Sequence, residues 1–274
     1  MFTLNDGRHL PSIGFGTYPL RGQDGVGAIV TALDAGYRVL DTAVNYENER
    51  ELGEALRRSV VPREDVWITT KIPGRAHEHS RAVAAVEESL RALGVDHVDL
   101  VLVHWPNPSE GRYVEAFDAL VHCRERGLTR SVGVSNFTAS HLDEVIAATG
   151  VTPAVNQIEV HPLFPQAEMV ASNAQRGILT QGWSPLGKGA PQYDSPAVLE
   201  PAERLGATPA QVILAWHLGR GVMPLPKSAT PSRQRENLAA QDLELLPKEL
   251  TAITALGRPD GRLFDGDPLT HEER

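Results

Sequence analysis

Asp41, Tyr46, Lys71 and His104 are residues whose types together can pass a proton to a substrate oxygen. A free tyrosine titrates near about 10, too weakly acidic to protonate an oxygen efficiently at neutral pH. A nearby Lys71 cation would stabilise the phenolate and lower that value, and Asp41 would hold the lysine in place. His104 would hydrogen-bond a carbonyl and orient it. Taken singly, each residue has a plainer explanation: a loop cap, an aromatic at a helix start, a snorkelling strand end, a satisfied core histidine. Four of them at adjacent strand ends outweigh those explanations.

The elements that must carry them are short β-branched runs alternating with longer Ala/Leu/Glu-rich segments of helical period. The runs fall at 12–16, 38–43, 66–71, 98–104, 131–135, 154–160, 178–184 and 221–227. Most are continuously apolar, as parallel strands buried on both faces are. Between them the spacing predicts helices over 24–35, 47–58, 78–93, 113–125, 139–148, 166–175, 209–218 and 231–239. Eight strand-then-helix units in 274 residues predict a (β/α)8 barrel spanning 1–274 as one domain, with an open doubly wound sheet as the alternative. Asp6-Gly7 predicts an N-terminal hairpin that plugs the barrel's bottom. The polar, turn-rich stretch from Arg258 onward reads as a C-terminal loop.

Function in a barrel belongs at the carboxyl ends of the strands. Besides the four residues above, those ends carry Ser135, Asn136, Gln157, Glu159, Trp183, Ser184, Lys227 and Ser228. The 26 Lys+Arg against 35 Asp+Glu, a formal charge of −9, argue against nucleic acid or an anionic membrane as partner. No apolar run approaches a bilayer span, and the start of the chain lacks a secretory pattern, so a cytoplasmic protein is expected. The lone Cys123 permits neither an internal disulfide nor a thiolate metal cluster. Gly14 and Gly16 lack the third glycine of a dinucleotide fingerprint. In GWSPLG, Leu186 stands where a nucleophile elbow has its closing glycine. His77-Glu78-His79 puts its histidines on different helix faces, so a solvated helix start, not a metal site, is expected.

The segments GYRVLDTAVNYENERELG, ITTK, DLVLVHWP, SVGVSNF, VNQIEVHP, GWSPLG and LPKSATPSRQREN resemble, in order, the signatures of the aldo-keto reductase family. Within it, the short loop after HWP and the Trp of GWSPLG are most similar to bacterial 2,5-diketo-D-gluconate reductases. The resemblance implies a metal-free barrel that reduces carbonyls with NADPH. Tyr46 is then the general acid, Lys71 and Asp41 its tuning pair, and His104 the carbonyl orienter. It also implies that Ser135, Asn136 and Gln157 hold the nicotinamide carboxamide while Trp183 stacks on its ring. Ser184, Pro185, Leu186 and Gly187 would cover the pyrophosphate. Lys227, Ser228 and Arg233 would clamp the 2′-phosphate, and Glu236 and Asn237 would reach the adenine. Gly16, Thr17, Tyr18 and Asp41 are expected to border the cofactor, and Tyr18, Asn45, Tyr46, His104 and Trp105 the substrate.

Segments 105–113, 188–196 and the tail beyond Arg258 should wall the pocket, with Phe264 a candidate wall. Arg262 reads as a solvated loop arginine, or else as a contact for a substrate carboxylate. Val39, where the family often has His, Ser or Ala, should concern packing only. A small-molecule carbonyl is the expected partner, and relatives of this type suggest a monomer. A glycosidase using Asp41 and Glu159, and a cofactor-binding scaffold or redox sensor without turnover, are the competing functions.

Overall fold

The computed structural model describes residues 1–189 and 191–273; Ala190, within the 188–196 wall segment, and Arg274, within the tail, lie outside the described residues. The β-branched runs pair as strands β3 (Phe15–Gly16), β4 (Val39–Asp41), β5 (Trp67–Ile72), β6 (Val98–Val103), β7 (Thr129–Ser135), β8 (Val155–Glu159), β9 (Leu179–Trp183) and β10 (Val222–Pro224). Each is parallel to its sequence neighbour. The Gly14 and Gly16 amides donate to the carbonyls of Pro224 and Pro226, which joins β10 back to β3 and closes the sheet. The expected (β/α)8 barrel is thus present, and the open-sheet alternative is excluded.

The strand interiors form the barrel filling. Leu100, Leu102, Val155 and Met223 are fully buried, as is Val39, which serves packing as expected. Strands β1 (Phe2–Thr3) and β2 (His9–Leu10) form the antiparallel N-terminal hairpin. Its Leu4 and Leu10 join the same apolar cluster as those interior residues, so the hairpin stoppers one end. The other end is left to polar strand termini.

The eight expected helices form as α1 (Gly22–Ala35), α2 (Glu49–Arg58), α3 (His79–Leu93), α4 (Tyr113–Glu125), α5 (Ala139–Thr149), α6 (Ala167–Gln175), α8 (Pro209–Gly219) and α9 (Pro231–Ala239). Two further helices, α7 (Pro196–Leu205) and α10 (Pro247–Thr254), were not expected. Both begin with proline at the first helical position, where the missing N–H costs nothing. Pro201 inside α7 hides its period from a sequence reading. None of the described helices is long and apolar enough to cross a membrane.

Candidate active site

β4 and β5 run side by side with Asp41 opposite Thr69, which places the ends of the two strands at the same level. There the Lys71 Nζ donates to Asp41 Oδ1 at 2.7 Å, to the Thr42 carbonyl at 2.8 Å and to the Tyr46 hydroxyl oxygen at 3.3 Å. Lys71 is fully buried, so a charged ammonium survives only because all three of its N–H bonds are used. Burial alone would lower its pKa, but the Asp41 charge and the Tyr46 oxygen outweigh it, and the net direction is up. The Tyr46 oxygen accepts from Lys71, so its own proton points elsewhere. Tyr46 borders a cleft of about 1020 Å³, and that is where the proton is free to turn.

The expected lowering of the Tyr46 pKa is not what the site produces. Burial pushes the phenol up more than Lys71 pulls it down, with Asp41 and Glu273 adding to the rise. The phenol therefore keeps its proton at neutral pH. Lys71 reduces the cost of losing that proton without making the group acidic.

The cleft is bordered by Gly16, Thr17, Tyr18, Asp41, Tyr46, His104 and Trp105 at one end, and then by Asn136, Gln157, Trp183, Ser184, Pro185 and Leu186. At the other end lie Lys227, Ser228, Arg233, Glu236 and Asn237. Four expected site residues are absent from this lining, Lys71 among them because it is fully buried beneath Tyr46 and Asp41. Ser135 is buried behind it and donates to the Gln157 carbonyl at 2.8 Å, and Gly187 sits against the Gln192 side chain. Asn45 turns away from the cleft, its amide bonded to Glu273 Oε1 at 2.7 Å and its oxygen to Arg75 at 2.6 Å. An expected substrate contact is thereby spent on holding the tail.

Hydrogen-bond capacity shows what the middle of the cleft can accept. Both amide hydrogens of Gln157 are given away, to Asp41 Oδ2 at 2.8 Å and to Gln181 at 3.1 Å. Those of Asn136 go to the His104 carbonyl and to Ser135. Asn136 Oδ1 also receives the Trp183 indole N–H at 2.9 Å, which fixes the orientation of that ring. Asn136 makes this network from a left-handed backbone conformation, φ 61°, that asparagine tolerates. What remains on this side is acceptor capacity on the two amide oxygens, suited to a ligand NH2 group beside a flat ring. At the far end, Lys227 and Arg233 are exposed and make no ion pair among the described residues, as a site for a phosphate requires. The residues present therefore fit a nicotinamide dinucleotide.

Tyr193 borders the cleft from the expected 188–196 segment, whereas sequence reasoning missed Thr208, Pro209 and Ala210. Thr208 carried a helix-start signal, and its hydroxyl donates to Glu236 Oε1 at 2.7 Å. The tail does reach the cleft. Phe264 borders it, with Lys188 Nζ 4.0 Å above its ring and Trp183 5.8 Å away. Arg262 does not border the cleft and is only half-exposed: it bonds the Gly266 carbonyl and lies over the Phe164 ring.

The tail also brings Glu273, which no sequence pattern marked, to His104. Its Oε1 lies 2.6 Å from His104 Nδ1, oblique to the direction of the ring N–H. Burial would raise this carboxyl, but His104, Asn45 and the Gly74 amide outweigh it and hold Glu273 below the usual carboxylate range.

His77 also departs from expectation. It is 1% exposed rather than solvated, and neither ring nitrogen has a hydrogen-bond partner among the described residues. Burial lowers its pKa to about 4. The unfolded chain would bind a proton near 6.5 that the folded chain refuses, so stability present above that pH is lost as pH falls toward 4. Relative to His77→Gln, the wild type should lose about 1 kcal/mol per pH unit over that window. Urea titrations at several pH values check this; parallel pH profiles would mean the histidine is solvated. No group of three or more potential metal ligands occurs among the described residues.

Comparison with known proteins agrees with this geometry. The Aldo/keto reductase family profile matches residues 12–258. The chain is 51% identical over 271 residues to a 2,5-diketo-D-gluconic acid reductase B of Corynebacterium sp., covering 99% of this chain and 97% of that protein. It is 42% identical over 273 residues to the methylglyoxal reductase DkgA of Yersinia pestis, covering 97% and 98% of the two chains. A crystal structure of a Bombyx mori aldo-keto reductase in complex with NADP superposes with a TM-score of 0.88 at 31% identity, over 93% of this chain and 92% of that one.

Proposed function

The chain belongs to the aldo/keto reductase family, and from that premise we propose that it reduces small aldehydes, α-dicarbonyls and keto-sugar acids to alcohols with NADPH. The observation that carries this reading is the Tyr46 hydroxyl, bonded through its oxygen to a buried ammonium and free to turn its proton into a cleft also bordered by His104. NADPH supplies the hydride when bound.

Asn136 and Gln157 offer acceptors to its carboxamide, Trp183 a stacking face, and the loop at Ser184–Leu186 backbone groups to the pyrophosphate. His104 holds the carbonyl oxygen beside Tyr46, 5.8 Å ring to ring. Tyr46 then gives its proton to that oxygen, and Lys71, whose charge Asp41 anchors, stabilises the phenolate left behind. Trp105, half-exposed Tyr18 and half-exposed Phe264 wall the mouth with aromatic surface, leaving room for compact carbonyls. Names borne by relatives, a diketogluconate reductase and a methylglyoxal reductase, support the same substrate class.

The glycosidase reading loses its second carboxylate. Glu159 does not border the cleft; it is buried against His161 and the Leu263 amide. A test of the proposal follows NADPH absorbance with a panel running from methylglyoxal to a steroid ketone. Rapid oxidation with the small dicarbonyls is expected, and tight NADPH binding without turnover of any carbonyl would leave a cofactor-binding scaffold instead.

Cofactor preference has its own test. Arg233→Ala should weaken NADPH binding by about 1.5–3 kcal/mol, the scale of a hydrogen bond to a charged group, and leave NADH nearly unaffected. Fluorescence titrations with both cofactors measure it. Equal losses would assign Arg233 a structural task.

A further inference from the structure

We propose that Glu273, carried in by the tail after α10, is a positioning residue for the carbonyl reduction, holding the Nδ1 edge of His104 so that Nε2 faces the substrate oxygen. The inference rests on the carbonyl-reduction reading above. Two lone-pair-bearing atoms would repel at 2.6 Å, so His104 Nδ1 carries a proton beside Glu273 Oε1, and the two meet as a close electrostatic contact oblique to the ring N–H. A carboxylate only accepts, so that proton belongs to the imidazole. In histidine, the bond made by one ring nitrogen decides what the other offers. With Nδ1 protonated and facing a carboxylate, Nε2 is the edge left for the cleft that His104 borders. An Nε2–H there is a donor aimed at a carbonyl oxygen.

The carboxylate is built in from both sides. Asn45 Nδ2 bonds Oε1 at 2.7 Å and the Gly74 amide bonds Oε2 at 3.3 Å. Asn107 grips the Glu273 backbone with both ends of its amide, Nδ2 to the carbonyl at 2.6 Å and Oδ1 from the N–H at 3.1 Å. A side chain at Gly74 would bring its Cβ to 2.4 Å from the Glu273 carbonyl oxygen, so the tail seats only against glycine. Neighbouring contacts hold the approach: His271 stacks on Trp105 at 4.2 Å, and Glu272 accepts the Ser109 amide at 2.7 Å. Glu273 itself does not border the cleft. It acts on the reaction through His104.

The full-length protein, its Glu273→Gln, Glu273→Ala and Glu273→Asp variants, and a Glu272→Gln control test this with methylglyoxal and NADPH. Glu273→Gln and Glu273→Ala should lower kcat about tenfold or more, with little change in NADPH affinity or Tm, and Glu273→Asp should recover part of the loss. Glu272→Gln, which removes a neighbouring tail charge but keeps an oxygen to accept the Ser109 amide, should leave kcat within twofold. Nitrogen-15 spectra of the histidines, read without turnover, should show His104 Nδ1 protonated in the wild type and shifted toward the Nε2–H form in Glu273→Ala. Wild-type kcat in Glu273→Ala, equal losses in the Glu272 control, a collapse of NADPH affinity, or an unchanged His104 spectrum would each overturn the assignment. Absence of turnover in the wild type would instead strike the reductase reading, and the spectra would still judge the contact.

Discussion

Tyr46→Phe lowers kcat at least about a hundredfold, the lower range for losing a general acid, while NADPH binding barely changes. The substitution removes one oxygen and keeps the ring that packs beside Tyr18, 5.1 Å away, and His104. It also removes one of three acceptors of the buried Lys71, which keeps Asp41 and the Thr42 carbonyl. The protein should therefore fold with a similar Tm, and the loss should appear in kcat. Steady-state rates and cofactor titration on the purified variant are sufficient. Near-normal turnover would remove Tyr46 from the acid's role and leave His104 as the donor.

Lys71→Met should cost about 3–5 kcal/mol of stability, because it strips a buried carboxylate of its counter-charge. Asp41 is 4% exposed, and with the ammonium gone its side-chain partner among the described residues is Gln157. The double variant Asp41→Asn with Lys71→Met removes both charges and should recover most of that stability, since paired replacement of a buried ion pair is often neutral. Turnover should not recover, because nothing then stabilises a phenolate at Tyr46. Urea unfolding of the two variants and the wild type gives the comparison. A single variant within 1 kcal/mol of the wild type would mean that Asp41 takes up a proton or reaches water, and that the pair holds less of the site together than its geometry implies.

The barrel was legible because strands buried on both faces must be apolar throughout, and the interruptions between β4 and β10 mark each unit locally. The hairpin was legible through Asp6-Gly7. The four polar residues at strand ends were legible for a related reason: a charge such as Lys71 at the end of an apolar run has no local explanation. Helix α7 was not legible, because Pro201 interrupts its pattern, and the segment around it carries turn residues. Arg262 and His77 were misread for want of knowing what covers them. Composition says that arginine and histidine are usually solvated, whereas the fold laid Arg262 over Phe164 and buried His77 in the wall.

By itself the sequence determined the parallel barrel, its stoppered end, and the residue types gathered at the open end, because each depends on patterns a few residues long. Tertiary structure alone decided the rest. It turned Asn45 from the cleft to Glu273, spent the amide hydrogens of Gln157 and Asn136, and set Tyr46 where desolvation outweighs Lys71. It also brought Glu273 against His104 across 169 positions of chain. Hydrogen-bond capacity and desolvation depend on which groups meet in three dimensions, and no local pattern records a partner that arrives from the far end of the chain.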